Sequence, residues 1–238
     1  MIYFEIVKNI KKNNKMSLLE RNFLIDYLIS ARISPYFSAY YIKKGIIPNQ
    51  ITLYMIISGI IGGILFCFPN NLIKVIGMLF MQIWFVLDCS DGEVARETKN
   101  FSKYGKELDF LAHIINHPLF TFSLLISMVQ TNKYSIIFLI SIFSINCLLD
   151  LYHRNLIELL LIKELKEEKD NSTIKMSKMK KIINIFLQTF IIYPNFILFS
   201  SIFYFINDKF IVYYSVLNIL FTSITLLRVT IKYLKSIY

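Results

Sequence analysis

Residues 72–96 read LIKVIGMLFMQIWFVLDCSDGEVAR, an apolar run that passes directly into a cluster of acidic residues. The apolar part approaches the ~20 residues that a helix needs to cross the hydrocarbon core of a bilayer. Asp88 and Asp91 follow three residues apart, so they share one face if the helix continues to Arg96. The stretch therefore predicts a transmembrane helix that carries a charged site at one membrane boundary.

The rest of the chain has the same apolar character. Of its 238 residues 55% are hydrophobic, and the mean hydropathy of +0.54 is too high for an ordinary soluble domain. These values predict a membrane protein, and its apolar segments predict an all-α fold with six transmembrane helices in one domain, residues 47–238. The predicted spans are residues 48–68, 72–87, 108–129, 134–152, 182–206 and 210–231.

The segment before the first span, residues 1–46, is predicted to be cytoplasmic. Apolar side chains recur at helical spacing in residues 16–46, but Arg21, Asp26 and Arg32 interrupt them and make a bilayer crossing costly. This pattern is typical of an amphipathic helix that lies in the membrane interface. Pro48 and Thr52 then favour the start of the first transmembrane helix.

The distribution of positive charge predicts the orientation. With the amino terminus inside, the outside loops hold only Lys74, Lys133 and Lys209 of the 26 lysines and arginines. The positive-inside rule therefore favours a multi-pass protein of the inner cell membrane with a cytoplasmic amino terminus. Residues 154–181 become a cytoplasmic loop of helical character. Topology and membrane lipids explain the basic excess, and nucleic acid is not an expected partner.

The candidate site lies between the second and third spans. It has the pattern D-x2-D-G-x2-A-R-x8-G-x3-D-x3-H, formed by Asp88, Asp91, Gly92, Ala95, Arg96, Gly105, Asp109 and His113. On two antiparallel helices the acidic pairs face each other, and carboxylates this close repel unless a cation such as Mg²⁺ or Mn²⁺ compensates them. The small residues leave room for a nucleotide, and Arg96 could pair with phosphate oxygens. A DxxD pair alone often marks only a solvated helix end, so the prediction depends on the full set.

This pattern resembles the signature of the CDP-alcohol phosphotransferase (CDP-alcohol phosphatidyltransferase) family, whose last position is aspartate. The resemblance implies a transferase of the EC 2.7.8 class, as in phospholipid biosynthesis, which uses two divalent cations, Mg²⁺ or Mn²⁺. It also implies a homodimer and a reaction in which an alcohol acceptor displaces CMP from a CDP-linked donor. The likeness extends to the membrane helices and to the Pro48-Asn49-x-x-Thr52 start of the first span.

The resemblance also implies roles for individual residues. Asp88, Asp91 and Asp109 become metal ligands, and Asp109 is also assigned to catalysis. A nucleotide pocket is implied at Gly92, Ala95, Arg96 and Gly105, with Asn49 and Thr52 as further contacts to the donor.

His113 stands where the family has its fourth aspartate, the base that deprotonates the acceptor. A neutral imidazole can accept a proton or bind a metal, and its ordinary pKa of ~6.5 suits a base near neutral pH. The replacement removes one negative charge, which weakens the binding of hard cations. His117 lies one turn further along, where it could assist His113 or act with Pro118 at a kink.

The predicted function is the metal-dependent transfer of a phospho-alcohol or phosphonate group from a CDP- or CMP-linked donor to a lipid or polar alcohol, with release of CMP. One alternative is a catalytically inactive relative that binds nucleotide or lipid, or that acts as the partner of an active subunit. A small-molecule transporter is a third hypothesis. It is disfavoured because the sequence has no internal repeat and the acidic cluster lies at one membrane boundary.

Overall fold

A computed structural model describes residues 3–14, 31–166 and 195–235 of the protein. All regular secondary structure in these residues is helical. The helices are α1 (Tyr3–Asn13), α2 (Ala31–Lys43), α3 (Pro48–Phe66), α4 (Asn71–Thr98), α5 (Gly105–Val129), α6 (Ile136–Lys166), α7 (Asn195–Ile206) and α8 (Asp208–Lys235).

Five of these helices are long and apolar enough to cross a membrane: α3, α4, α5, α8 and the part of α6 that ends at Leu159. The prediction of an all-helical, multi-pass membrane protein is therefore confirmed. The predicted span 182–206 lies partly outside the described residues, which include only its second half as the short apolar helix α7. Helix α6 continues to Lys166, so the first part of the predicted loop 154–181 is helical and the rest lies outside the description.

The amino-terminal segment contains two described helices where the sequence predicted one interfacial helix over residues 16–46. Residues 15–30 lie outside the description, and α2 forms the described part of that prediction. Helix α1 was not predicted. It buries Ile6, Val7 and Ile10 against Ala39 of α2, which explains its apolar face.

Local side-chain contacts fix the starts of two spans. Pro48 occupies the first turn of α3, and the Gln50 side chain accepts a hydrogen bond from the Ile47 amide at 3.1 Å. The Asn70 side chain caps α4 by accepting hydrogen bonds from the amides of Leu72 at 2.8 Å and Ile73 at 3.3 Å. Both contacts satisfy amides that have no partner within the helix.

Glycines allow α3 and α4 to pack with their backbones close together. A Cβ atom added to Gly77 would lie 2.7 Å from the Phe66 nitrogen, and one added to Gly62 would lie 2.9 Å from the Met81 nitrogen. Helix α5 packs against α3 and α6, and α6 packs against α8. The second and third spans are thereby held on a common neighbour, α3.

The assignment of Lys74 to an outside loop, made from the sequence, is wrong. It lies in the first turn of α4 and is fully buried. Its ammonium group donates hydrogen bonds to the Phe66 carbonyl at 3.1 Å, to Ser127 Oγ at 2.8 Å and to Gln130 Oε1 at 2.9 Å. The charge thus stabilises the carbonyl end of α3, where the helix dipole favours a cation.

Candidate metal centre

The acidic residues of the signature lie on two long helices that run past the predicted membrane boundary. Helix α4 continues through Asp88 and Asp91 and ends before Lys99, whose φ of 54° is left-handed. Helix α5 begins at Gly105, so Asp109 and His113 lie in its second and third turns. This arrangement brings the two halves of the signature together across the space between α4 and α5.

Three side chains of the signature form a compact group of ligand atoms. His113 Nε2 lies 3.0 Å from Asp88 Oδ1 and 3.3 Å from Asp109 Oδ1, and all three donor atoms lie within 4.8 Å of one another. Donors that surround one ion at about 2.1 Å lie roughly 3 to 4.3 Å apart. The observed spacing therefore fits a single divalent cation after shifts of a few tenths of an ångström.

The three side chains of this group differ in their exposure to solvent. The Asp109 side chain is 41% exposed, that of Asp88 is 24% exposed and that of His113 is 9% exposed. Arg154 of α6 brings a positive charge to the exposed side, with Nη2 3.8 Å from Asp109 Oδ2. Asp109 is thus the donor that solvent or a charged substrate can reach, whereas His113 is covered by the surrounding helices.

Asp91 lies outside this three-residue group and contacts the first span. Its Oδ2 accepts a hydrogen bond from Thr52 Oγ1 at 2.8 Å, and its Oδ1 accepts one from the Gly92 amide at 2.5 Å. Asp88 and Asp109 are close enough for their charges to act on it. Thr52, which the resemblance assigned to donor contacts, therefore orients a carboxylate of the signature.

The residues assigned to a nucleotide pocket lie near the same ends of α4 and α5. A Cβ atom on Gly92 would lie 3.0 Å from Arg96 Nη1, so the guanidinium group covers this glycine. Ala95 is partly exposed on the same helix. Asn49 donates to Ser102 Oγ at 2.9 Å, and its Oδ1 lies 3.8 Å from the position of a Cβ on Gly105.

Comparison with known families gives one match of broad extent. Residues 45–227, most of the chain, match the family model for CDP-alcohol phosphatidyltransferase, and this range contains every site residue described above. The chain belongs to the CDP-alcohol phosphatidyltransferase family. No curated protein matches the chain significantly.

Membership makes the protein a relative of transferases that move phospho-alcohol groups and depend on metal ions. In this phosphatidyltransferase relative the donor set is one imidazole nitrogen and two carboxylate oxygens, which is a chemically suitable set for a divalent cation. The residues present therefore fit the metal that the family requires.

Sequence reasoning placed His117 one turn beyond His113 but missed two neighbours of these histidines beside the phosphatidyltransferase signature, Asp150 and Trp84. His117 Nε2 lies 2.9 Å from His113 Nδ1, and His117 Nδ1 lies 2.8 Å from Asp150 Oδ2 on α6. Trp84 contacts both imidazole rings edge-on, with centroid distances of 5.1 and 5.6 Å. For Asp150 the sequence did offer a signal, an aspartate within a predicted apolar span, which is the kind of signal that drew attention to Asp109.

Proposed function

We propose that this protein transfers a phospho-alcohol or phosphonate group from a CDP- or CMP-linked donor to a hydroxyl acceptor and releases CMP. The observation that carries the proposal is the convergence of Asp88, Asp109 and His113 donor atoms within 4.8 Å inside the region that matches the family. Proposed partners are the nucleotide-linked donor, a lipid or polar alcohol acceptor and the surrounding membrane lipids.

The proposed reaction is a substitution at phosphorus. The acceptor oxygen forms a bond to the phosphorus that carries the donor's alcohol or alkyl group, and the bond from that phosphorus to the oxygen bridging it to CMP breaks. The bridging oxygen leaves with CMP, and the acceptor loses its proton to a base of the site. Divalent cations supply Lewis-acid stabilisation of the charge that develops on the phosphate oxygens.

The chain's own residues would bind and orient the donor. Arg96 is exposed and carries a guanidinium group suited to paired hydrogen bonds with phosphate oxygens. Gly92 and Ala95 have small side chains that leave room on α4 beside it, and Asn49 and Gly105 lie together near the start of α5. Asp91, oriented by its hydrogen bond to Thr52, is proposed as a further metal ligand.

Two residues are proposed to handle the acceptor's proton and the cation. His113 is either the base or a metal ligand, because its Nε2 atom lies within 3.3 Å of two carboxylates. Asp109 is the most exposed of the three donors, so it is the carboxylate nearest to an approaching hydroxyl group. Its position supports a catalytic role in addition to metal binding.

CMP release tests the proposal directly. Purified protein would be incubated with a panel of CDP-alcohols and CMP-phosphonates, lipid and polar acceptors, and Mg²⁺ or Mn²⁺. Asp88→Asn is expected to lower the rate at least a hundredfold, which corresponds to about 3 kcal/mol of lost transition-state stabilisation. Asp208→Asn is the matched control, because Asp208 pairs with Lys133 outside the signature.

Two results of the CMP-release assay would contradict the proposal. An absence of CMP release with every donor, while the protein remains folded and binds metal, would contradict a catalytic function. Equal rates of CMP release for Asp88→Asn and the unmodified protein would show that the reaction does not depend on this site.

An inactive relative that binds nucleotide is the second candidate. It is favoured by His113 itself, which stands where the family has its fourth aspartate and so removes one carboxylate from the centre. This candidate predicts that CDP binds without turnover and that His113→Asp gains CMP release. Measured turnover by the unmodified protein excludes it.

We also propose the cellular arrangement. The protein lies in the inner cell membrane as a homodimer, with residues 1–46 in the cytoplasm and residues 47–238 forming the transmembrane catalytic domain. This orientation is supported because most lysines and arginines lie in segments that it places on the cytoplasmic side. Reporter fusions to the amino terminus test the orientation, and mass measurement of the detergent-solubilised protein tests the dimer.

A further inference from the structure

A continuous row of hydrogen-bonded side chains leads from the candidate metal centre into the helix bundle. Asp88 Oδ1 lies 3.0 Å from His113 Nε2, His113 Nδ1 lies 2.9 Å from His117 Nε2, and His117 Nδ1 lies 2.8 Å from Asp150 Oδ2. The row joins α4, α5 and α6. His113 and His117 are four residues apart, which places both rings on one face of α5.

The partners in this row determine which nitrogens carry hydrogen. An ionised carboxylate only accepts hydrogen bonds, so His117 Nδ1 carries a hydrogen and donates it to Asp150. The Nε2 atom of a neutral His117 then has a lone pair, which accepts the hydrogen of His113 Nδ1. With its Nδ1 hydrogen fixed in this way, His113 turns Nε2 toward the carboxylates of the metal centre.

Packing holds the two rings in this orientation. The side chains of His113 and His117 are only 9% and 4% exposed, and Trp84 contacts both edge-on. At the other end, His113 Nε2 faces Asp88 and Asp109 together. Two carboxylates facing Nε2 call for either a hydrogen on that nitrogen or a divalent cation in its place, and such a cation would be held by Nε2 and the two carboxylates.

We propose that His117 and Asp150 are positioning residues that fix His113 with its Nε2 lone pair on the divalent cation, so that the centre prefers Mn²⁺ to Mg²⁺. This inference rests on the proposed function, because it chooses metal ligation over the base role for His113. A carboxylate or imidazole that holds the second nitrogen of a ligating histidine fixes its tautomer and raises its basicity.

The preference for Mn²⁺ follows from the ligand type. Mg²⁺ takes oxygen ligands almost exclusively and keeps several waters, whereas imidazole nitrogen suits transition metals. The family's aspartate at this position would offer oxygen alone. With His113 and Asp109 Oδ1 on the cation, the second carboxylate oxygen of Asp109 is the candidate for accepting the acceptor's proton.

Pulsed electron paramagnetic resonance of Mn²⁺ tests the inference on the full chain in detergent micelles. The chain contains three histidines, so a ¹⁴N coupling to bound Mn²⁺ has few possible sources. The unmodified protein is expected to show this coupling, and His113→Asp is expected to lose it and to shift the affinity ratio toward Mg²⁺. His117→Leu is expected to weaken Mn²⁺ binding about tenfold or more.

Two further variants separate positioning from general stability. Asp150→Asn retains an oxygen that can accept the His117 hydrogen, so it is expected to lose less Mn²⁺ affinity than Asp150→Leu. His153→Leu is the control, because His153 lies on α6 near Asp150 but outside the row, and it is expected to leave the coupling unchanged.

The outcomes are distinguishable from those of the CMP-release assay. Bound Mn²⁺ without nitrogen coupling, or no bound Mn²⁺, overturns the inference, and the unmodified protein alone decides this even where a variant fails to fold. CMP release without nitrogen coupling leaves the proposed function intact and assigns His113 to the base role. Nitrogen coupling without CMP release supports this inference and contradicts the proposed function.

Discussion

Replacing Glu93 by alanine is expected to release the amino-terminal helices from α4. Glu93 is 4% exposed and accepts three hydrogen bonds: from Asn14 Nδ2 at 2.6 Å, from Ser34 Oγ at 2.7 Å and from Ser38 Oγ at 2.6 Å. Both serines are fully buried in α2. One carboxylate thus joins α2 and the residue after α1 to the helix that carries the metal centre.

The magnitude follows from these contacts. A hydrogen bond to a charged group contributes about 1.5–3 kcal/mol, and a buried polar group that loses its partner costs about 1–3 kcal/mol. Glu93→Ala removes the acceptor of three hydrogen bonds, two of them from fully buried serines, and is expected to cost about 3–5 kcal/mol in total. Glu93→Gln retains one acceptor oxygen, and the Ser38 hydroxyl can turn to accept from the new amide, so its cost is expected to be about half.

Thermal unfolding in detergent micelles measures the effect. At about 2–4 °C per kcal/mol for a chain of this size, Glu93→Ala is expected to lower the midpoint by roughly 10 °C, and trypsin is expected to cleave within residues 31–44 more rapidly. Glu97→Ala is the control, because Glu97 lies one turn later on α4 and accepts one exposed hydrogen bond from Asn13 at 3.2 Å. Equal midpoint shifts for the two variants would refute the reasoning.

Three further predictions concern the helix contacts and the site. Asn70→Ala removes the side chain that caps α4 and is expected to lower the unfolding midpoint by about 2–4 °C. Asn71→Ala is the control, because Asn71 is the next residue and is not the cap, and it is expected to shift the midpoint less. Gly77→Ala places a Cβ atom 2.7 Å from a backbone nitrogen of α3 and is expected to cost about 1–3 kcal/mol, whereas Gly105→Ala meets its nearest atom at 3.6 Å and is expected to cost less. Thr52→Val removes the hydrogen bond to the second aspartate of the signature and is expected to slow CMP release by roughly tenfold or more, while Thr52→Ser retains the rate.

The sequence determined the elements that depend on length and spacing. The apolar run before Asp88 and the spacing of the signature predicted that α4 continues past the membrane boundary, and the structure extends it to Thr98. The same spacing predicted that Asp88 and Asp91 face Asp109 and His113, and the structure groups three of these four side chains, with Asp91 outside the group. Helix geometry places each pair on one face, because residues three or four apart share a face, and the packing of α4 and α5 on α3 brings the two faces together.

Contacts between distant segments were not predictable in this way. Glu93 occupies a variable position of the signature pattern, and its partners Ser34 and Ser38 lie more than 50 residues away. Lys74 was counted with the outside loops because it lies next to the start of the predicted span at residue 72, yet the Asn70 cap places it inside α4, against the carbonyl end of α3. Periodicity identifies a helix face, but only tertiary packing selects which neighbour that face meets.

The environment of His113 bears on whether its departure from the family pattern reflects loss of function. An aspartate at this position has no hydrogen to donate when ionised, so the lone pair on His117 Nε2 would face a negative, shorter side chain. The Asp150 carboxylate in turn stabilises His117 in the tautomer that accepts from an imidazole N–H. His117 and Asp150 therefore complement histidine at position 113 and would not complement aspartate. A centre that had only lost its fourth carboxylate would not require this match, which argues that the imidazole has a function of its own at the metal centre.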